Sequence, residues 1–105
     1  MSLVVTTTRA ADEDIRNVVT YIAADNPVAA QRFATELWET LHRIADTPRL
    51  GRVVRGFGTA LRVARVSSRF RRYLIFYRLP DERTLEIVRV LHGSRDITAT
   101  LADLK

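Results

Sequence analysis

Apolar residues recur along this chain with two periods, and the change from one to the other falls near residue 50. Ala11, Ile15, Val18, Val19, Ile22 and Ala23 follow a helical repeat, which predicts a helix over about 9–24. Asp12, Glu13 and Asp14 fill its first turn, where the helix dipole favours negative charge. Asp25-Asn26-Pro27 then supplies a stop, a capping side chain at Asn26 and a proline at the first position of the next helix. That second helix is expected over 27–46, with Ala30, Phe33, Ala34, Leu37, Leu41, Ile44 and Ala45 on one face. Two helices joined this tightly form an antiparallel αα-hairpin.

Thr47-Pro48 ends the helical region, and 49–58, with three of the four glycines, reads as a loop. Strand-like runs follow over 60–66, 70–79 and 84–91, separated by Ser67-Ser68 and by the turn Pro80-Asp81-Glu82-Arg83. They predict a β-meander. Residues 3–6, Leu-Val-Val-Thr, read as an additional outer strand. Ile97, Leu101 and Leu104 have the spacing of a short C-terminal helix, with Ser94 or Asp96 as its cap. The expected fold is α+β: an N-terminal strand and an αα-hairpin on a twisted antiparallel sheet of about four strands, in one domain over 1–105. Alternation places Leu74 and Phe76 on one face of the long strand and Tyr73, Ile75 and Tyr77 on the other. Both faces are apolar, so the face away from the helices is expected to be roofed by the C-terminal segment or reserved for a partner.

Charge changes this picture more than overall composition does. Residues 1–48 carry net −3, residues 49–78 carry nine arginines and no acid, and residues 79–105 carry net −1. Sixteen of the 17 basic residues are arginine. The planar guanidinium suits phosphate, carboxylate and aromatic faces; coding bias toward arginine is the plain alternative. No apolar run approaches the roughly 20 residues needed to cross a bilayer, and residues 1–9 lack the pattern of a secretory signal, so a cytoplasmic protein is expected. With no cysteine and only His42 and His92, neither a metal nor another cofactor is expected.

Arg62, Arg65, Arg69, Arg71 and Arg72 interleave with Phe70, Tyr73, Phe76 and Tyr77. This could be a nucleic-acid platform, or the aromatics could be core. His92 beside Arg95 could act as a general acid or base; the alternative is a structural histidine satisfied by a backbone carbonyl or by Asp96. Trp38 and His42, one helical turn apart, belong at a core edge or an interface. No phosphate loop and no Ser/His/Asp constellation is recognisable.

Several pieces, in this order, resemble the ParE/RelE superfamily of plasmid-stabilisation toxins. They are Ala-Asp-Glu-Asp-Ile at 11–15, Tyr21-Ile22-Ala23, Asn26-Pro27 with Ala29-Ala30, Pro48 with Gly51-Arg52, Tyr-Leu-Ile-Phe-Tyr-Arg at 73–78 and Val-Arg-Val-Leu-His-Gly-Ser-Arg-Asp at 88–96. The resemblance spans essentially the whole chain and implies the same helical hairpin on a sheet. Relatives of the RelE branch cut mRNA on the ribosome with sheet arginines and a C-terminal Tyr or His. Here Arg95 matches one such arginine, but Leu74 stands near the expected strand arginine, Leu101 near the terminal tyrosine, and no tyrosine follows Tyr77. A nuclease would have to use His92 with Arg89 and Arg95. The His-Gly-Ser-Arg-Asp ending is closer to the ParE branch, which implies a toxin that inhibits DNA gyrase, with Arg95 and Asp96 as target-binding candidates and no catalytic residues. The resemblance also implies a ParD-like antitoxin in a hetero-oligomer, its acidic tail expected on Arg62, Arg65, Arg71 and Arg72. A member without toxicity, acting only as antitoxin partner and co-repressor, is the third reading.

Overall fold

The computed structural model describes residues 2–57 and 61–102. In chain order its elements are β1 (Val4–Thr7), α1 (Arg9–Asp25), α2 (Pro27–Asp46), β2 (Arg52–Val53), β3 (Arg62–Arg65), β4 (Tyr73–Arg78), β5 (Thr84–His92) and α3 (Ile97–Thr100). The hairpin boundaries follow from local chemistry. Thr8 Oγ1 accepts the Ala11 N–H at 3.0 Å and opens α1, Asn26 Oδ1 accepts the Ala29 N–H at 3.1 Å and opens α2, and Pro27 takes the first turn, where no N–H is needed. Thr8 also donates to the Val88 carbonyl at 2.7 Å, so one hydroxyl both caps α1 and fastens it to β5. Asp96, rather than Ser94, caps α3 through the Ala99 N–H; Leu104 lies outside the described residues.

The sheet has five strands in the order β1-β5-β4-β3-β2. It is mixed rather than antiparallel, because β1 pairs parallel to β5, from Val4 opposite Thr84 to Thr7 opposite Ile87. Three reversals after β2 leave β5 running in the same direction as β1, and the hairpin carries the chain across to the far edge in between. The fifth strand is the two-residue β2, inside the segment expected to be loop. β4 begins three residues later than its apolar pattern suggests. Ser67 Oγ accepts the Phe70 N–H at 3.0 Å and the Phe70 carbonyl accepts the Tyr73 N–H at 3.1 Å, so Phe70, Arg71 and Arg72 form a turn instead of extending the strand.

Alternation in β4 sorts the core into two layers. Tyr73, Ile75 and Tyr77 face the hairpin and pack with Phe33, Leu37, Leu41 and Ile44. Phe33 is fully buried, with the Phe70 and Tyr73 rings edge-on at 5.2 Å, contacts that add about 0.5–1.5 kcal/mol each beyond burial. Ala34, placed in this face by its spacing, is exposed. On the other side Leu74 and Phe76 pack with Val63, Val88 and Leu91 beneath Ile97 and Leu101. Of the two fates open to the second face, roofing by the C-terminal segment is the one observed, with Val54 and Phe57 completing the cover. A bulge makes both layers possible in β5: Tyr77 pairs with Ile87 and Phe76 with Arg89, so Val88 is an extra residue. Leu85 and Ile87 lie in the hairpin-side layer, Val88 enters the other, and Val90 returns to the first, a change of phase that a single inserted residue produces.

Candidate functional site

The C-terminal end of β5 and one face of α1 enclose a cleft of about 500 Å³. α1 contributes Asp14, Asn17, Val18 and Tyr21, at the i, i+3, i+4 and i+7 spacing of one helix face. β4 contributes Tyr73, and the end of β5 with the segment after it brings His92, Ser94 and Arg95. His92 packs edge-on against Tyr73 at 4.9 Å. Its Nδ1 accepts the Ser94 N–H at 3.0 Å and lies 2.6 Å from Ser94 Oγ, which leaves the ring proton on Nε2. Ser94 therefore satisfies the ring, rather than a backbone carbonyl or Asp96, whose carboxylate is engaged in capping α3.

Beside the cleft, Asp14 receives both guanidinium arms of Arg89, Nε at 2.7 Å and the second nitrogen at 2.8 Å, and also accepts the Val90 N–H at 3.0 Å. β1 ends opposite Ile87, so the Val90 amide lies beyond the reach of that strand, and the carboxylate takes over its ladder bond. Asp14 is 7% exposed. Its place in the first turns of α1 suggests only a dipole effect; its partner is set by an element 75 residues away. Of the three residues considered for a nuclease, His92 and Arg95 share the cleft and Arg89 is held by Asp14. Asn17 and Tyr21 were not among the site residues expected from the sequence, where Tyr21 figured only in the family resemblance, although their helical spacing from Asp14 was the available signal.

The arginine block does not form one surface. Arg62 pairs across the sheet with Tyr77, lies on the hairpin side and donates to the Gly51 carbonyl at 2.7 Å. Arg65 pairs with Leu74 and lies on the opposite face. Arg69 meets Glu36 at 3.3 Å, while Arg71 and Arg72 are exposed on the turn before β4. The aromatics of this region are core: Phe76 and Tyr77 are buried, and Phe70 and Tyr73 pack on Phe33. Trp38 is 58% exposed, its ring edge-on to His42.

Tyr77 also positions the loop that leads to β2. Its hydroxyl donates to the Pro48 carbonyl at 2.8 Å and accepts the Gly51 N–H at 2.8 Å. Burial raises its pKa above the ordinary 10.0, against the opposing pull of the Gly51 N–H and of Arg62; burial and then Tyr21 raise that of Tyr73. A raised value means that the folded state keeps the proton more firmly than the unfolded chain does. This stabilisation is complete below the unfolded value of about 10 and is lost as pH climbs through the folded value. Chemical denaturation at pH 9, 10 and 11 should therefore show the advantage of the native chain over Tyr77→Phe shrinking above pH 10. An advantage independent of pH would show that the hydroxyl's ionisation is uncoupled from folding.

Residues 5–97 match the family model described as the ParE toxin of the type II toxin-antitoxin system, parDE. The chain belongs to the ParE toxin family. Toxin ParE1 of Mycobacterium tuberculosis, in strains CDC 1551 / Oshkosh and H37Rv, is 32% identical over 72 residues, 69% of either chain. A solved chain from the chromosomal ParDE system of P. aeruginosa superposes with a TM-score of 0.69 over 87% of this chain and 96% of that one, at 14% identity, which shows that the two share a fold. This chain is thus a ParE-family toxin of a type II toxin-antitoxin system with an α+β fold. Among the described residues, no helix is long and apolar enough to cross a membrane.

Proposed function

We propose that this ParE-family toxin inhibits DNA gyrase and is neutralised by an antitoxin of the ParD type. The observation that carries this reading over mRNA cleavage is the bidentate Asp14–Arg89 pair. Cleavage needs a positive charge preorganised where the phosphate becomes more negative, and the charge of Arg89 is already met by a carboxylate. Arg95, exposed at the cleft mouth, is the target-contacting residue in this proposal, while Asp96 acts indirectly by capping α3 and so fixing the segment that carries Arg95.

The P. aeruginosa likeness, a chain of a ParDE system, supports a ParD-type partner. Of the four arginines expected to face an antitoxin, only Arg65 borders an apolar groove, whose lining includes Leu50, Val63 and Leu74, with Arg52 also present. A tail that orders on binding needs apolar anchors as well as charge. In this proposal its apolar side chains enter the groove and its acids meet Arg52 and Arg65.

Purified toxin should inhibit gyrase supercoiling and trap cleaved DNA, with reversal by the antitoxin. Arg95→Ala should weaken inhibition by roughly 10–100-fold, the loss of one charged hydrogen-bonding group. No inhibition at stoichiometric excess, together with ribosome-dependent mRNA cleavage abolished by His92→Ala, would replace this reading with the nuclease.

A further inference from the structure

Most arginines with a described partner are used within the fold: Arg62 on Gly51, Arg69 on Glu36, Arg78 on Glu86 and Arg89 on Asp14. Arg43, Arg65 and Arg71 have no ion-pair partner among the described residues, and they converge. Together with Ser67 and Ser68 they line a shallow depression of about 380 Å³. Three elements build it: the last turn of α2, the end of β3, and the turn that Ser67 holds back from β4. We propose that this depression binds the sugar-phosphate backbone of duplex DNA, without reading its sequence.

The chemistry of the lining selects this occupant. Three guanidinium groups and two hydroxyls are all donors suited to phosphate oxygens, and no acid is among them. The lining itself holds no apolar side chain on which an amphipathic peptide could anchor. Those anchors, Leu50, Val63 and Leu74, lie in the adjoining groove, which shares Arg43 and Arg65 with the depression, so a duplex here and a tail in the groove would exclude one another. The lining also holds no aromatic: Phe70 and Tyr73, the nearest in sequence, pack on Phe33. An unpaired base would have no ring to stack on. A polyanion whose bases are already stacked and paired, and which presents only phosphates, meets neither obstacle. Glu36 and Glu39 border the adjoining surface and confine the footprint to about two or three phosphates, which implies weak binding with a salt exponent of roughly −2 to −3.

The test uses the full chain and a fluorescent 20-base-pair duplex of arbitrary sequence, with anisotropy titrations between 50 and 200 mM salt. The native chain should bind with that exponent. The double variant Arg43→Gln/Arg71→Gln should lose roughly two units of it and at least about tenfold in affinity at low salt, while Arg32→Gln, exposed elsewhere on α2, should match the native chain. Arg71→Gln alone should lose about one unit, which keeps the test decisive if the double variant melts early. Unchanged exponents in the arginine variants would overturn the proposal. So would tighter binding of a single strand of the same length, or of a glutamate-rich peptide whose binding these variants abolish. Gyrase is absent from the assay, so this proposal and the gyrase reading fail separately.

Discussion

Asp14→Ala is expected to destabilise the toxin by about 3–5 kcal/mol, because it leaves a largely buried guanidinium without its carboxylate and removes the acceptor of the Val90 N–H. For a domain of this size, even the lower figure corresponds to a fall in Tm of roughly 12 °C or more. Thermal melting followed by circular dichroism checks it. Asp14→Asn should lose less, since an amide oxygen can still accept the Val90 N–H. The paired replacement Asp14→Leu/Arg89→Leu should recover much of the loss, since a buried ion pair exchanged for apolar packing is often close to neutral. If Asp14→Ala melted within a few degrees of the native chain, the carboxylate would not be what joins α1 to β5.

The second large effect is expected at Gly51. A Cβ added there would lie 2.7 Å from the Tyr77 hydroxyl, 2.7 Å from the Val63 carbonyl oxygen and 2.8 Å from the Tyr77 ring. The ring is fully buried and the carbonyl belongs to β3, so neither can give way cheaply. Gly51→Ala should cost about 1–3 kcal/mol, as overpacking does, and Gly51→Val more. Tyr77→Phe should cost a similar amount for a different reason, since it strands the Gly51 N–H. The two share a contact and should not add: Gly51→Ala/Tyr77→Phe should be more stable than the sum of the single losses predicts. Denaturant midpoints of the four proteins measure this coupling, and strict additivity would mean that the loop moves away from Tyr77.

Local rules made much of the fold legible. The Asn26-Pro27 junction, both helix faces apart from the exposed Ala34 and the alternation of Tyr73 to Tyr77 are governed by neighbours a few residues apart, and the structure places them as those rules predict. What escaped depends on distant partners. Asp14 has the same sequence context whether it serves the helix dipole or Arg89. Thr8 is an unremarkable threonine until Val88 lies beside it. Phe70 to Arg72 continue an apolar-basic strand pattern, and only Ser67 makes them a turn. In the candidate cleft, His92 and Arg95 were visible as close neighbours in sequence, whereas Asn17 and Tyr21 join them only because α1 crosses the end of β5. The arginine block was evident as charge, but that Arg62 turns to a loop carbonyl while Arg65 borders both the groove and the open depression depends on which face of β3 each occupies.

The parallel pairing of β1 with β5 also bears on how the chain reaches its working form during synthesis. β1 is made well before the strand it pairs with, so Val4 must wait for Thr84, and closing a loop of that length carries an entropic penalty of about 4 kcal/mol. The helical hairpin and the β3–β4 pairing involve shorter separations and can form earlier. The sheet edge, the Asp14 tether and the wall that carries His92 and Arg95 all involve β5, so none of them can be complete before that strand is made. A nascent chain still short of β5 has neither the cleft nor the segment proposed to meet gyrase, which leaves an interval on the ribosome for an antitoxin to be present before the toxin is competent.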